Sequence, residues 1–175
     1  MTGRSALLVS SLAAAFALTL VVEAAARHAQ APSPDDARPF AGTWSAAGQR
    51  RTLQTDGDRA AIVHLSGAIV LSSESLLGAG LLAEAIAFDD GQDVSTGRAV
   101  WIDARGDRLF SVLAGEPLRN GRRIRGAFTG GTGRYVGATG EYALTWQYVV
   151  DGENGAVQGR AADLRGRVAL SRQPR

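Results

Sequence analysis

Turn residues punctuate this chain at short, even intervals, and almost nothing between them carries a helical period. The turns are Asp56-Gly57-Asp58, Asp89-Asp90-Gly91, Arg105-Gly106-Asp107, Asn120-Gly121 and Asp151-Gly152-Glu153-Asn154-Gly155. Asp-Gly and Asn-Gly pairs supply the positive-φ residues that tight hairpins require. Strand-like runs lie between them, at residues 40–44, 50–55, 59–71, 81–88, 98–104, 108–114, 124–129, 142–150 and 156–170. The one stretch with a period near 3.6 is short, from Ser73 to Leu82. Alternating runs joined by hairpin turns imply an antiparallel meander. Closure removes the exposed edges of such a meander most economically. The expected fold is therefore all-β, a single antiparallel up-and-down barrel of about eight strands over residues 40–172.

Alternation also sorts residues into walls. Tyr142, Leu144, Trp146, Tyr148 and Val150 share one face, and Leu82, Glu84, Ile86 and Phe88 share another. Ala83, Ala85 and Ala87 stand opposite the second set with Leu81, and Trp101 faces with Asp103. Which wall points inward stays open, because a one-residue slip exchanges the faces. Both faces of several strands are apolar. That predicts a filled or ligand-lined interior and an outer wall partly covered by a helix, a neighbouring subunit or lipid. A homo-oligomer is one way to cover it.

The densest signal is Phe128-Thr-Gly-Gly-Thr-Gly-Arg-Tyr-Val-Gly-Ala-Thr-Gly140, with five glycines between Gly130 and Gly140. A phosphate loop would need Lys before Ser or Thr, and the chain has no Lys. A dinucleotide fingerprint must open a helix, whereas Tyr142 to Val150 alternates like a strand. The segment reads instead as a strand-to-strand corner, with Gly131, Gly133, Gly137 and Gly140 allowing positive φ or close packing and Tyr135 and Val136 as its apolar plug. Residues 129–140 resemble the glycine-rich corner of the allene oxide cyclase barrel-like family, a group that dirigent proteins and bacterial spirotetronate cyclases also resemble. The resemblance is clear over residues 124–150 and implies a calycin-like barrel. None of the family's acidic and polar active-site residues matches a position here, and fold alone does not carry function.

The N-terminus has the layout of an export leader. Arg4 precedes an uncharged, Ala-, Leu- and Val-rich run from Ser5 to Val22, and Ala24-Ala25-Ala26 offers a small-residue cleavage site. Residues 1–26 are thus expected to be a signal peptide, and residues 27–39, rich in Pro and Asp, a linker. An uncleaved membrane anchor is the alternative, since the run reaches the lower limit for a span. The small residues that follow it favour cleavage. The mature protein is then secreted or periplasmic. Export permits disulfides, yet the chain has no Cys. Its core must hold without staples, and thiol nucleophiles and thiolate metal sites are excluded.

Charge says little about partners. The net charge is +2, and all nineteen basic residues are Arg, interspersed with seventeen acids. Arg119, Arg122, Arg123 and Arg125 form the one basic cluster, but they flank a hairpin tip and no aromatics suited to base stacking are interleaved. No nucleic-acid partner is expected. His28 falls in the linker and His64 in a strand beside Ile62 and Ser66, without a metal-ligand spacing. No metal or cofactor is expected. Glu84 and Asp103 are the carboxylates most surrounded by apolar sequence, and desolvation inside a barrel would raise their pKa and fit them for acid–base work. With His64 they are the catalytic candidates; pairing with Arg98 or Arg125 is the alternative. Glu141, directly after the corner, carries the same ambiguity.

Three functions follow. The leading one is a barrel that binds an apolar small molecule, with Phe88, Trp101, Tyr142, Trp146 and Tyr148 as an aromatic lining. The family resemblance implies a second, a cofactor-independent cyclase or isomerase that acts by folding a flexible unsaturated substrate. The third is a structural or interaction protein whose aromatics are simply core.

Overall fold

The computed structural model describes residues 36–54, 56–72, 75–91 and 94–171. The leader and most of the linker lie outside them. Eight strands follow one another: β1 (Arg38–Gln54), β2 (Arg59–Leu71), β3 (Gly80–Asp89), β4 (Ser95–Ile102), β5 (Arg108–Leu118), β6 (Gly121–Gly131), β7 (Thr139–Asp151) and β8 (Ala156–Ala169). Each pairs antiparallel with the next, and β8 returns to β1, closing the barrel. The described strands therefore leave no unpaired edge for another chain to extend.

Two details depart from the sequence reading. The run at 40–44 and the described part of the run at 50–55, residues 50–54, belong to one long strand, β1. Gly48 is no break there. Its α-carbon lies so close to β2 that a Cβ would overlap the His64 carbonyl oxygen, so glycine lets the ladder pass through unbroken. The described residues of the 73–82 stretch, with its period near 3.6, form no helix: Ser75 to Ala79 make a turn and β3 begins at Gly80.

The inner wall is now fixed. Ala83, Ala85, Ala99 and Ala61 face inward with Trp101, the ladder partner of Ala83, and Tyr142, Leu144 and Trp146 of β7 point into the same interior, all buried. Small side chains on β2 to β4 make room for large ones from β7. Phe40, Trp101, Phe128 and Tyr142 pack with ring centroids 4.7–6.2 Å apart. Trp44 and Trp146 lie 4.9 Å apart. Three inward glycines sit beneath these rings. A Cβ on Gly126 would meet Tyr142, one on Gly159 would meet Trp146, and one on Gly166 would meet Phe40.

The outer wall carries Ile62, Leu82, Ile86 and Phe88, each exposed. Ile62 stands directly opposite Phe88, and His64 opposite Ile86. Among the described residues no helix covers them; the short 3-10 turn at Gly133–Tyr135 lies in the β6–β7 corner.

One irregularity has a built-in remedy. Four steps along β7, from Ala143 to Gln147, match five along β8, from Arg165 to Arg160. The extra residue forms a bulge, and Asp163 fills the broken ladder. It accepts from the Thr145 backbone N–H at 2.7 Å and from the Thr145 hydroxyl at 2.8 Å. Burial alone would raise the Asp163 carboxyl, but these two bonds and nearby Arg165 outweigh it and hold the pKa below its ordinary 3.8. A carboxylate depressed in the folded state adds stability above its unfolded pKa and loses it as pH falls through the folded one. Asp163→Asn is therefore expected to cost about 1.5 kcal/mol near pH 7. In thermal melts the gap between variant and parent should close as pH drops from about 5 to about 2. A gap that persists at the acid end would mean the charge contributes nothing.

Candidate functional site

The two ends of the barrel differ in kind. At one end the β2–β3, β4–β5 and β6–β7 connections converge and close it. Tyr135, wholly buried, is the plug, with Leu77, Leu109 and Val168 beside it. Its hydroxyl donates to the Asp103 carboxylate at 3.3 Å and points at the Leu77 carbonyl at 3.5 Å. Burial first, and then the neighbouring acids, push the Tyr135 phenol up to about 12 against the pull of Arg134.

Asp103 thus does structural work at this closed end. One carboxylate oxygen accepts from the Arg105 and Asp107 backbone N–H groups, and the other takes the Tyr135 hydroxyl. The acid–base role considered from sequence is not what its surroundings fit. The glycine corner is likewise occupied from within. Gly133 takes φ of +50° beside the Asp107 carboxylate, which accepts from the Arg134 backbone N–H at 3.2 Å. The Thr132, Tyr135, Val136 and Ala138 N–H groups all bond to backbone carbonyls. The Arg134 guanidinium bonds the Leu76 carbonyl and lies 5.2 Å from the Tyr135 ring centroid. The corner's N–H groups do not converge into an anion-binding nest; the carboxylate that the Arg134 N–H does hold is the chain's own, that of Asp107. Gly137 and Gly140 also take positive φ, whereas Gly131 does not and is held by close approach to the Arg108 carbonyl and Tyr135. Val136, expected in the plug with Tyr135, is 49% exposed instead.

The opposite end is open. Here a cavity of about 610 Å³ has Ala61, Val63, Leu65, Ala87, Leu113, Ile124 and Trp146 as its apolar part. Val63, Leu65, Ala87, Leu113 and Ile124 also line a smaller apolar space of about 50 Å³ that reaches down to Trp44, Trp101 and Tyr142. The two make one shaft, wide at the rim and narrow at depth.

Two ion pairs stand in the rim. Arg50, in the last third of β1, meets both carboxylate oxygens of Asp151 at 2.5 and 3.1 Å. Arg122, near the start of β6, bonds Asp89, the Ser95 hydroxyl at 3.1 Å and the Gly115 carbonyl at 3.4 Å. Their side chains are only 20% and 18% exposed. Between them sits Tyr148. Burial raises its phenol above the ordinary 10.0, the Arg122 and Arg50 charges pull it back, and Asp151 and Asp89 push it up again. The net shift is upward, so near neutral pH Tyr148 is an uncharged donor.

The sequence-derived site residues separate accordingly. Tyr148 and Trp146 line the open cavity, and Trp101 and Tyr142 line its narrow foot. Phe88 does not join them: its side of β3 is the outer one, and it is 49% exposed. Glu84 and His64 are exposed on the same outer wall, far from a dry interior. Glu141 is exposed as well. Within the core, Tyr142 and Ser111 share a hydrogen bond of 2.8 Å, and the Trp101 ring, 4.7 Å away between centroids, adds a second pull on the same phenol. Burial outweighs both and pushes Tyr142 up to about 12. The Trp44 and Trp146 indole N–H groups, both buried, find no hydrogen-bond partner among the described residues. No group of three or more His, Cys, Asp or Glu that could hold a metal ion occurs among those residues.

Arg50 and Arg122 escaped the sequence reading as site residues. Their signal was present. Arg50 continues the alternation Trp44, Ala46, Gly48, and Arg122 continues Phe128, Gly126, Ile124 toward the rim. A charge that extends an inward apolar series marks the level at which a barrel opens to water.

The chain matches no protein-family model and no curated protein. Fold and site together define its class: a closed eight-stranded antiparallel barrel, plugged at one end and open at the other.

Proposed function

We propose that this protein binds a small amphiphilic molecule end-on in the open mouth of its barrel. The observation that carries the reading is the asymmetry of the two ends, a sealed plug below and a cavity of about 610 Å³ above. That volume falls in the range of small-molecule sites, about 300–1,000 Å³. An apolar body enters the shaft between Val63, Leu65, Leu113 and Ile124, and a polar end stays at the rim with Tyr148 and the two ion pairs. The filled lower barrel limits how deep a ligand reaches, so a long chain must bend or protrude. On this reading the chain is exported, with residues 1–26 removed as its leader, and acts as a secreted or periplasmic carrier or receptor.

Solvent extraction of the purified protein, followed by mass spectrometry, tests this. An amphiphile is expected in the extract of the parent protein and missing from Ala87→Phe, whose added ring fills the shaft. Circular dichroism should show the same β-structure in both. An extract identical for the two proteins overturns the assignment. A rearranged product after incubation with a flexible unsaturated substrate would move it from binder to cyclase or isomerase.

A further inference from the structure

We infer that Asp89 and Asp151 make the mouth selective for an uncharged, hydroxyl-bearing head and against a carboxylate. This rests on the binding reading above. A bare arginine at the rim of an apolar shaft would recruit a carboxylate through a bidentate, charge-assisted pair. Here both half-buried arginines are already taken. Asp151 engages Arg50 with both oxygens, and Asp89 holds Arg122, which Ser95 and the Gly115 carbonyl also anchor.

An incoming carboxylate has two ways in, and both are costly. It can displace an aspartate, leaving that charge unpaired in a partly desolvated rim, or it can stand beside one as a like charge. The wider rim does not help it. Among the described lining residues Arg50, Arg59, Arg119 and Arg122 are matched by Asp58, Asp89, Asp90 and Asp151, so no net positive field draws an anion in. A hydroxylated head meets no such obstacle. A guanidinium carries five donors and a carboxylate about four lone-pair sites, more than these pairs consume. Hydroxyls can accept from the arginines and donate to the aspartates without breaking either pair, and the Tyr148 phenol adds a donor between them. Selectivity then comes from a repulsive element built against the wrong ligand.

The test compares two probes with the same acyl chain, 1-decanoylglycerol and decanoate, each titrated below its micellar concentration at pH 8 and followed by calorimetry. The parent protein should bind the glyceride about tenfold more tightly or better. Asp151→Asn, a change at a side chain 44% exposed and so mild for folding, should raise decanoate affinity several-fold. Adding Asp89→Asn should carry the gain past about tenfold and invert the preference. Decanoate binding the parent as tightly as the glyceride, or more tightly, overturns the inference while leaving the mouth a binding site. If neither probe binds, the binding reading falls, and the inference falls with it.

Discussion

Alanine in place of Gly126 is expected to lower stability by about 3 kcal/mol, the upper end of ordinary overpacking, although it adds a single methyl group. The reason is the Tyr142 ring, which lies directly on the Gly126 backbone where a Cβ would project. That ring has nowhere to go. It is buried, packs against Trp101 and Phe128, and is tied to Ser111 by a 2.8 Å hydrogen bond. The backbone cannot yield either, since β6 is paired on both sides. A loss of this size moves the melting temperature by roughly 10 °C in a domain of this length. The control is a double-mutant cycle. Tyr142→Ala alone should cost about 3–5 kcal/mol. In that background the new methyl group meets a cavity instead of a ring, and Gly126→Ala should become nearly neutral. Strictly additive costs would show that the glycine is not there for the ring.

Tyr135→Ala should be as damaging, at about 3–5 kcal/mol. Tyr135 has no exposed surface, and it is the side chain on which the three connections at the closed end meet. Tyr135→Phe should cost only about 1 kcal/mol, because the hydroxyl bonds at 3.3 and 3.5 Å are long. The pair separates two accounts of the closed end. If the ring is the plug, only the alanine variant opens the barrel from below, and it should bind a dye for exposed apolar surface that the phenylalanine variant does not. Equal losses for the two variants would place the stability in the hydroxyl network and refute the packing account.

Much of this fold is written in short-range chemistry. The turns at Asp56-Gly57-Asp58, Asp89-Asp90-Gly91, Arg105-Gly106-Asp107 and Asp151 to Gly155 all separate strands as their residue types predict. What alternation alone does not supply is direction. The Leu82, Glu84, Ile86, Phe88 face is the more hydrophobic by eye, yet it is the alanine face that points inward. The interior volume is set jointly. β7 delivers Tyr142 and Trp146 into the same space, so at mid-strand, at Ala83 and Ala85, β3 has room only for methyl groups. That is a property of pairs of strands far apart in sequence, and no window along one strand contains it.

The site was legible only in part, for the same reason. Arg50 and Asp151 are 101 residues apart, and Arg122 and Asp89 are 33 apart. Their pairing exists only once the ring is closed and the register fixed. Asp103 misled for a different reason. Its apolar sequence neighbours are strand residues, while the carboxylate itself turns into the backbone of the connection that follows.

Closure of the ring through β1 and β8 has a directional consequence. Arg38 pairs with Val168, so both ends of the described chain leave the barrel side by side at the plugged end. A tether that continues directly from either end of the described chain therefore starts below the plug, on the side away from the opening. A protein held by its tail in this way presents its mouth to the surrounding medium, as a cup does when it is held by the foot.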